Sequence, residues 1–137
     1  HLDVIHEMDF VTWIFGWPSS SKLFLSKVSK LEIDSIDSAH YWMSYPHYNI
    51  SILLNYFRRD KKRYMEIVME DTTWTVDLMK GSIVDAAGHT VFQTNYNIID
   101  TYVDQMRYFL NCIDSNTPVM NNLSQSVKTL NLSLHDS

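Results

Sequence analysis

Asp3 and His6 stand three residues apart at the head of the run LDVIHEMDFVTWIFG, residues 2–16. On a helical or near-helical backbone that separation brings two side chains to one face, within reach of each other. A carboxylate beside an imidazole favours the protonated ring and fixes which nitrogen carries the proton, as a group that moves protons near neutral pH requires. The same pair also fits a plainer role, a capping carboxylate followed by a histidine satisfied at the surface. The residues that follow must position either one. Met8, Val11 and Phe15, with Phe10 and Ile14 beside them, recur at helical spacing, and Gly16 with Pro18 supplies the stop. The spacing predicts a short amphipathic helix with Asp3 and His6 at its mouth.

Other chemistry-bearing residues form no comparable group. His40, His47, His89 and His135 lack zinc-ligand spacing, and no Gly-x-Ser-x-Gly points to a hydrolase. Trp42, Trp74 and Tyr96 could line a sugar pocket, although aromatics at strand spacing also serve as core. Glu7 and Asp9 read as facing solvent or a partner domain. Cys112 is the single cysteine, so no internal disulfide forms, and a reducing, cytoplasmic setting is the simpler reading. Asn49, Asn122 and Asn131 each begin an Asn-x-Ser triplet, with nothing else to suggest secretion.

Length and charge set the bounds. At 137 residues and 45% apolar content the chain has the size of one domain with a real core. A net charge of -5 with dispersed signs argues against nucleic acid. The one basic cluster, Arg58 to Arg63, is interrupted by Asp60 and reads as a solvated hairpin turn. No apolar run approaches the ~20 residues of a membrane helix. The first residue is His rather than Met, which reads as a fragment or processed product, with His1 a candidate tag remnant.

After a Ser-rich link at 19–21, Leu23 and Leu25 share one phase, as do Leu31 and Ile33, with Val28 out of phase between them. A long bulged strand or two short strands would both fit. Ala39, Tyr41, Met43 and Tyr45 alternate up to Pro46, and Tyr48, Ile50, Ile52, Leu54 and Tyr56 alternate again. Met65, Ile67 and Met69, then Trp74, Val76 and Leu78, mark two more strands. Turns at Lys80-Gly81 and Ala87-Gly88 flank a short strand at 82–85, and residues 89–93 complete a small hairpin. The period then lengthens. Ile99, Tyr102, Val103, Met106, Phe109, Leu110 and Ile113 recur every three or four residues, with Asp100 and Asp104 near the amino end where the helix dipole favours them. Pro118 breaks that helix, and Leu123, Val127, Leu130 and Leu134 begin another. A mainly antiparallel open sheet with helices packed on one face is an α+β domain. Tyr41, Tyr45, Tyr48 and Tyr56 either form an aromatic subunit interface or pack under the helices.

The opening run resembles the pattern Leu-Asp-x-x-His-(Glu/Asp)-x-Asp-x-x-x-Trp-(Leu/Ile)-Phe-Gly of the Gfo/Idh/MocA oxidoreductases, the glucose-fructose oxidoreductase and inositol dehydrogenase superfamily. Residues 63–83 occupy the place of that family's strand pair and Gly-x-Ile turn. Tyr102, Phe109, Ile113, Pro118, Leu130, Leu132 and Ser137 are similar to its closing pattern. The resemblance implies hydride transfer between NAD or NADP and a hydroxyl-bearing carbon of a sugar or cyclitol, with His6 as acid/base or substrate ligand and Asp3 orienting it. It also implies a homodimer or tetramer paired through the sheet. Many members carry three residues between the Asp and the His, whereas here there are two, which turns the imidazole relative to the carboxylate. The family's Glu-Lys-Pro motif does not occur. Three glycines, none spaced as Gly-x-Gly-x-x-Gly, leave no dinucleotide site. The chain therefore reads as the C-terminal substrate-binding and oligomerisation domain, residues 1–137, of an oxidoreductase whose N-terminal nucleotide-binding domain lies elsewhere. Alone it should neither hold the cofactor firmly nor turn over. A non-enzymatic α+β module that dimerises through its sheet, or a stand-alone small-ligand binder, would also carry these elements.

Overall fold

A computed structural model of the chain describes residues 4–135. The fold is α+β, with antiparallel sheets and three helices among the described residues. The chain folds as two compact units. One runs up to Arg59 and resumes at Met120; the other is residues 60–119.

In the first unit, helix α1 (Val4–Phe15) buries Val4, Met8, Val11 and Thr12. Val4, Met8 and Val11 follow the four-then-three spacing of one helical face. Gly16 ends the helix at φ 76°, its N–H donating to the Thr12 carbonyl at 3.0 Å. A residue without Cβ takes that left-handed backbone at little cost. Strands β1 (Ser20–Ser26), β2 (Ser38–Ser44) and β3 (Asn49–Asn55) pair antiparallel in that order, with Tyr41 opposite both Leu23 and Ile52. Alternation turns Ala39, Tyr41 and Met43 inward. There they form the core with Val4, Met8 and Val11 of α1 and Leu132 of the last helix (Leu123–Leu134).

The four tyrosines are not all alike, and the two deepest pack under the helices. Tyr41 is buried and donates to the Ser133 carbonyl at 2.9 Å. Tyr45 donates to the Gly16 carbonyl and Tyr48 to that of Phe15, both at 3.0 Å. Burial, and then the neighbouring Tyr48 phenol, pushes the Tyr45 hydroxyl up to about 12. It therefore remains a donor at neutral pH. The opposite face of this sheet carries Phe24, Trp42 and Leu53, all exposed.

No strand forms at Leu31 and Ile33. The backbone groups there are engaged locally: the Leu31 N–H donates to the Ser29 hydroxyl at 3.2 Å, and the Leu31 carbonyl accepts from the Ile33 N–H and the Lys27 ammonium at 2.9 Å each. Just upstream, the buried Asp37 carboxylate accepts from the Val28 N–H at 2.8 Å, the Ser29 N–H and the Lys27 ammonium at 3.0 Å each, and the Ser29 hydroxyl. Donors spent on a carboxylate cannot also join a ladder.

The second unit holds β4 (Tyr64–Val68), β5 (Thr73–Asp77), β6 (Ser82–Val84) and β7 (Thr90–Gln93), antiparallel in that order, and helix α2 (Ile98–Asp114). Asp77 and Asp85 shape its turns by accepting backbone N–H groups of Met79 and Lys80, and of Ala87 and His89. These backbone donors, Lys80 and His89 foremost, hold both carboxyls below their usual range. Asn97 caps α2 through a reciprocal pairing with Asp100. The basic stretch 58–63 is not a hairpin turn, because β3 and β4 belong to different sheets. Local alternation shows that a strand exists, not which sheet it joins. Along α2 the apolar stripe from Ile99 to Ile113 is exposed, Met106 at 59%. With α2 left aside, α1 and the last helix, α3 (Leu123–Leu134), gather on the inner face of β1–β3.

Candidate functional site

Along α1, His6, Asp9 and Trp13 follow one another at steps of three and four, with Phe10, packed partly against the core, beside them. With Trp17 they form one wall of an open cleft of about 410 Å³, and Met120, Asn121, Gln125 and Thr129, from the start of α3 and the residues before it, form the other. The periodicity that sends Val4, Met8 and Val11 inward delivers these residues to the opening.

Asn121 donates its Nδ2 to Asp9 Oδ1 at 3.1 Å across the cleft and accepts from the Ser126 hydroxyl at 3.0 Å. Asn122 caps α3 by accepting from the Gln125 N–H at 3.0 Å, while Gln125 Oε1 accepts from the Asn122 N–H at 3.3 Å. The Thr12 and Thr129 hydroxyls donate to the carbonyls of Met8 and Gln125, at 2.8 and 3.1 Å. The Lys128 ammonium sits 3.9 Å from the centre of the Trp17 ring. His6 is exposed and makes no hydrogen bond among the described residues. An unengaged imidazole beside a carboxylate-bearing wall can take or give a proton at a bound hydroxyl.

Of the two residues singled out from the sequence, His6 lines the cleft, and Asp3 lies outside the described residues. The carboxylate that shares the cleft with His6 is Asp9. Sequence reading placed Asp9 at solvent or a partner domain, yet His6-x-x-Asp9 has the same three-residue step that drew attention to Asp3. Trp13, Asn121 and Gln125 were also missed. Trp13 was readable as the next step along the His6 and Asp9 face, whereas the two α3-side residues come from more than a hundred positions away and gave no signal. The aromatics proposed for a sugar pocket stand elsewhere: Trp42 on the outer sheet face, Trp74 in β5 and Tyr96 exposed ahead of α2. Glu7 lines a separate hollow of about 200 Å³ with Asp37, Asn55 and Tyr56. His40 pairs with the Ser51 hydroxyl at 2.8 Å and His89 with Asp85 at 3.0 Å. No three His, Cys, Asp or Glu among the described residues stand together as a metal-holding group.

A dinucleotide does not fit these residues. Its pyrophosphate needs bare backbone where a strand turns into a helix. Gly16 instead ends a helix ahead of β1, while Gly81 and Gly88 sit in turns between strands.

The fold is shared with part of the length of dehydrogenases and oxidoreductases of known structure. UDP-N-acetylglucosamine 3-dehydrogenase GnnA from Acidithiobacillus ferrooxidans matches in two crystal forms at 20% identity, with TM-scores of 0.72 and 0.74. Each match covers 95% of this chain and 42% or 43% of that one. A protein assigned as an oxidoreductase from Klebsiella pneumoniae matches at 14% identity and TM-score 0.65, over 94% of this chain and 42% of its own. The chain thus spans less than half the length of these proteins. No family model matches it, and no curated protein is similar to it in sequence.

Proposed function

We propose that this chain is the substrate-binding and oligomerisation half of an NAD- or NADP-dependent oxidoreductase that interconverts a hydroxyl and a carbonyl on a sugar- or cyclitol-like substrate. The observation that carries the reading is His6, unengaged in a cleft with Asp9, on a fold shared with a sugar-nucleotide dehydrogenase. Hydride acceptance belongs to a nicotinamide held by a separate N-terminal nucleotide-binding domain. What this chain supplies is the proton step: His6 takes the proton of the substrate hydroxyl in oxidation and returns it in reduction, with Asp3 as an orienting group. Without the nucleotide half the chain does not turn over.

Assembly as a homodimer or tetramer is assigned to the outer face of β1–β3, where Phe24, Trp42 and Leu53 stand exposed. The same face would serve a non-enzymatic dimerisation module, the second reading. The partners are therefore the nucleotide half, a second copy and a small polyhydroxylated substrate, with no role for nucleic acid or membrane. No helix among the described residues is long and apolar enough to cross a membrane. The buried, unpaired Cys112 supports a cytoplasmic, reducing setting.

Turnover by the full-length enzyme tests the proposal. His6→Ala should lower kcat roughly 10²- to 10⁴-fold, the usual contribution of a positioned acid/base. Unchanged turnover would favour the non-enzymatic module.

A further inference from the structure

We propose that the cleft between α1 and α3 grips its substrate by the flat face of a pyranose ring, with the Trp13 indole as stacking surface and Asp9 and Gln125 each holding a ring hydroxyl. This rests on the reading of His6 given above and adds how the ring is held.

The Thr12 and Thr129 hydroxyls donate to helix carbonyls, and the Asn121 amide is engaged at both ends, donating to Asp9 and accepting from Ser126. Among the described residues this leaves the second carboxylate oxygen of Asp9, the Nε2 of Gln125 and the ring of His6 with no partner. An oxygen that only accepts and a nitrogen that only donates complement two hydroxyls, since each hydroxyl does both. Both groups are fixed in advance: Asp9 by Asn121, and Gln125 by the reciprocal cap with Asn122. Preorganisation of that kind lowers the entropic cost of binding.

The apolar lining of the cleft comes from Phe10, Met120 and two indoles, and only the indoles offer a broad flat face. Lys128 already engages the Trp17 ring, whereas Trp13 is 69% exposed. A closed sugar ring presents a flat face of C–H groups to such a surface, and an open-chain polyol does not. A volume of about 410 Å³ lies within the range of small-ligand sites. The ligand class is therefore a cyclic polyol, its ring on Trp13 and its reacting hydroxyl toward His6.

The test is a titration of the chain with a methyl glycopyranoside, following the indole N–H resonance of Trp13 and the ring protons of His6. Sorbitol at matched concentration is the open-chain control. The pyranoside should move both signals saturably and sorbitol neither. Read at His6, Trp13→Ala should weaken pyranoside binding about 10-fold, Trp13→Phe should recover most of it, and Asp9→Asn should weaken it to a similar extent. Equal shifts with sorbitol, no shift with the pyranoside, or unchanged affinity in Trp13→Ala each overturn the inference. In the full-length enzyme, Trp13→Ala should raise KM about 10-fold and leave kcat nearly unchanged, as loss of uniform binding does. If His6→Ala abolishes turnover while Trp13→Ala leaves KM alone, only the ring-stacking assignment fails; if His6→Ala is silent, the oxidoreductase reading fails first.

Discussion

Asp37 is the residue on which most local structure converges. Burial alone would raise its pKa, but the hydrogen bonds from the Ser29 hydroxyl, the Val28 N–H, Lys27 and the Ser29 N–H outweigh that and hold the carboxyl well below the usual range. A carboxyl depressed in the folded state contributes stability that is complete above its unfolded value of ~3.9 and is lost as pH falls toward the folded one. Asp37→Asn should lower Tm by several degrees at pH 7, and the gap from the parent should narrow as pH is taken below about 4. A gap that held constant from pH 7 to pH 2.5 would show that the charge is irrelevant. Single residues of this kind were the hardest to read in advance. Asp37 looks like turn material in the sequence, and its donors become visible only once the chain at 27–29 has folded onto it. His6 was legible because three-residue spacing is a local property; Asn121 and Gln125, brought to the cleft from the far end of the chain, were not.

At the scale of elements, turns and caps carry the clearest consequences. Gly81 and Gly16 both adopt positive φ, at 63° and 76°. A Cβ at Gly81 would stand 2.5 Å from Thr94 Cγ2, whereas one at Gly16 would meet nothing within 4 Å. Gly16→Ala should therefore cost roughly 1 kcal/mol, the backbone term alone. Gly81→Ala should cost more, about 2–3 kcal/mol, with part recovered by Thr94→Ser, which removes the obstructing methyl. Thermal melts of the three variants check the order, and equal losses at the two glycines would contradict it. Strand and helix existence was largely legible because alternation and helical spacing are written in neighbouring residues. β2 and β3 lie where Ala39, Tyr41 and Met43, and Ile50, Ile52 and Leu54, fall on alternate positions, and α1 stops at Gly16. The expected strand at Leu31 and Ile33 failed because donors nearby were claimed by a side chain, which no periodicity records.

For the whole molecule, the α+β class with antiparallel strands was legible, whereas the division of those strands into two sheets among the described residues was not. The arrangement of strands into sheets depends on long-range pairing, and the basic stretch 58–63, which looked like a turn, joins one sheet to the next. Assembly belongs to this scale. Trp42→Asp places a charge on the outer sheet face, where Phe24 and Leu53 are 61% and 65% exposed. If the proposed pairing uses that face, the substitution should leave a monomer in sedimentation while lowering stability by no more than about 1 kcal/mol, since the side chain faces outward. An oligomer that survives the substitution would move the interface elsewhere. The exposed stripe of α2 bears on a different property. Its apolar side chains already lie in water when the chain is folded, so unfolding uncovers less new hydrocarbon than 137 residues ordinarily conceal. The dependence of stability on urea concentration, whose steepness tracks newly wetted area, is correspondingly shallow for a polypeptide of this length.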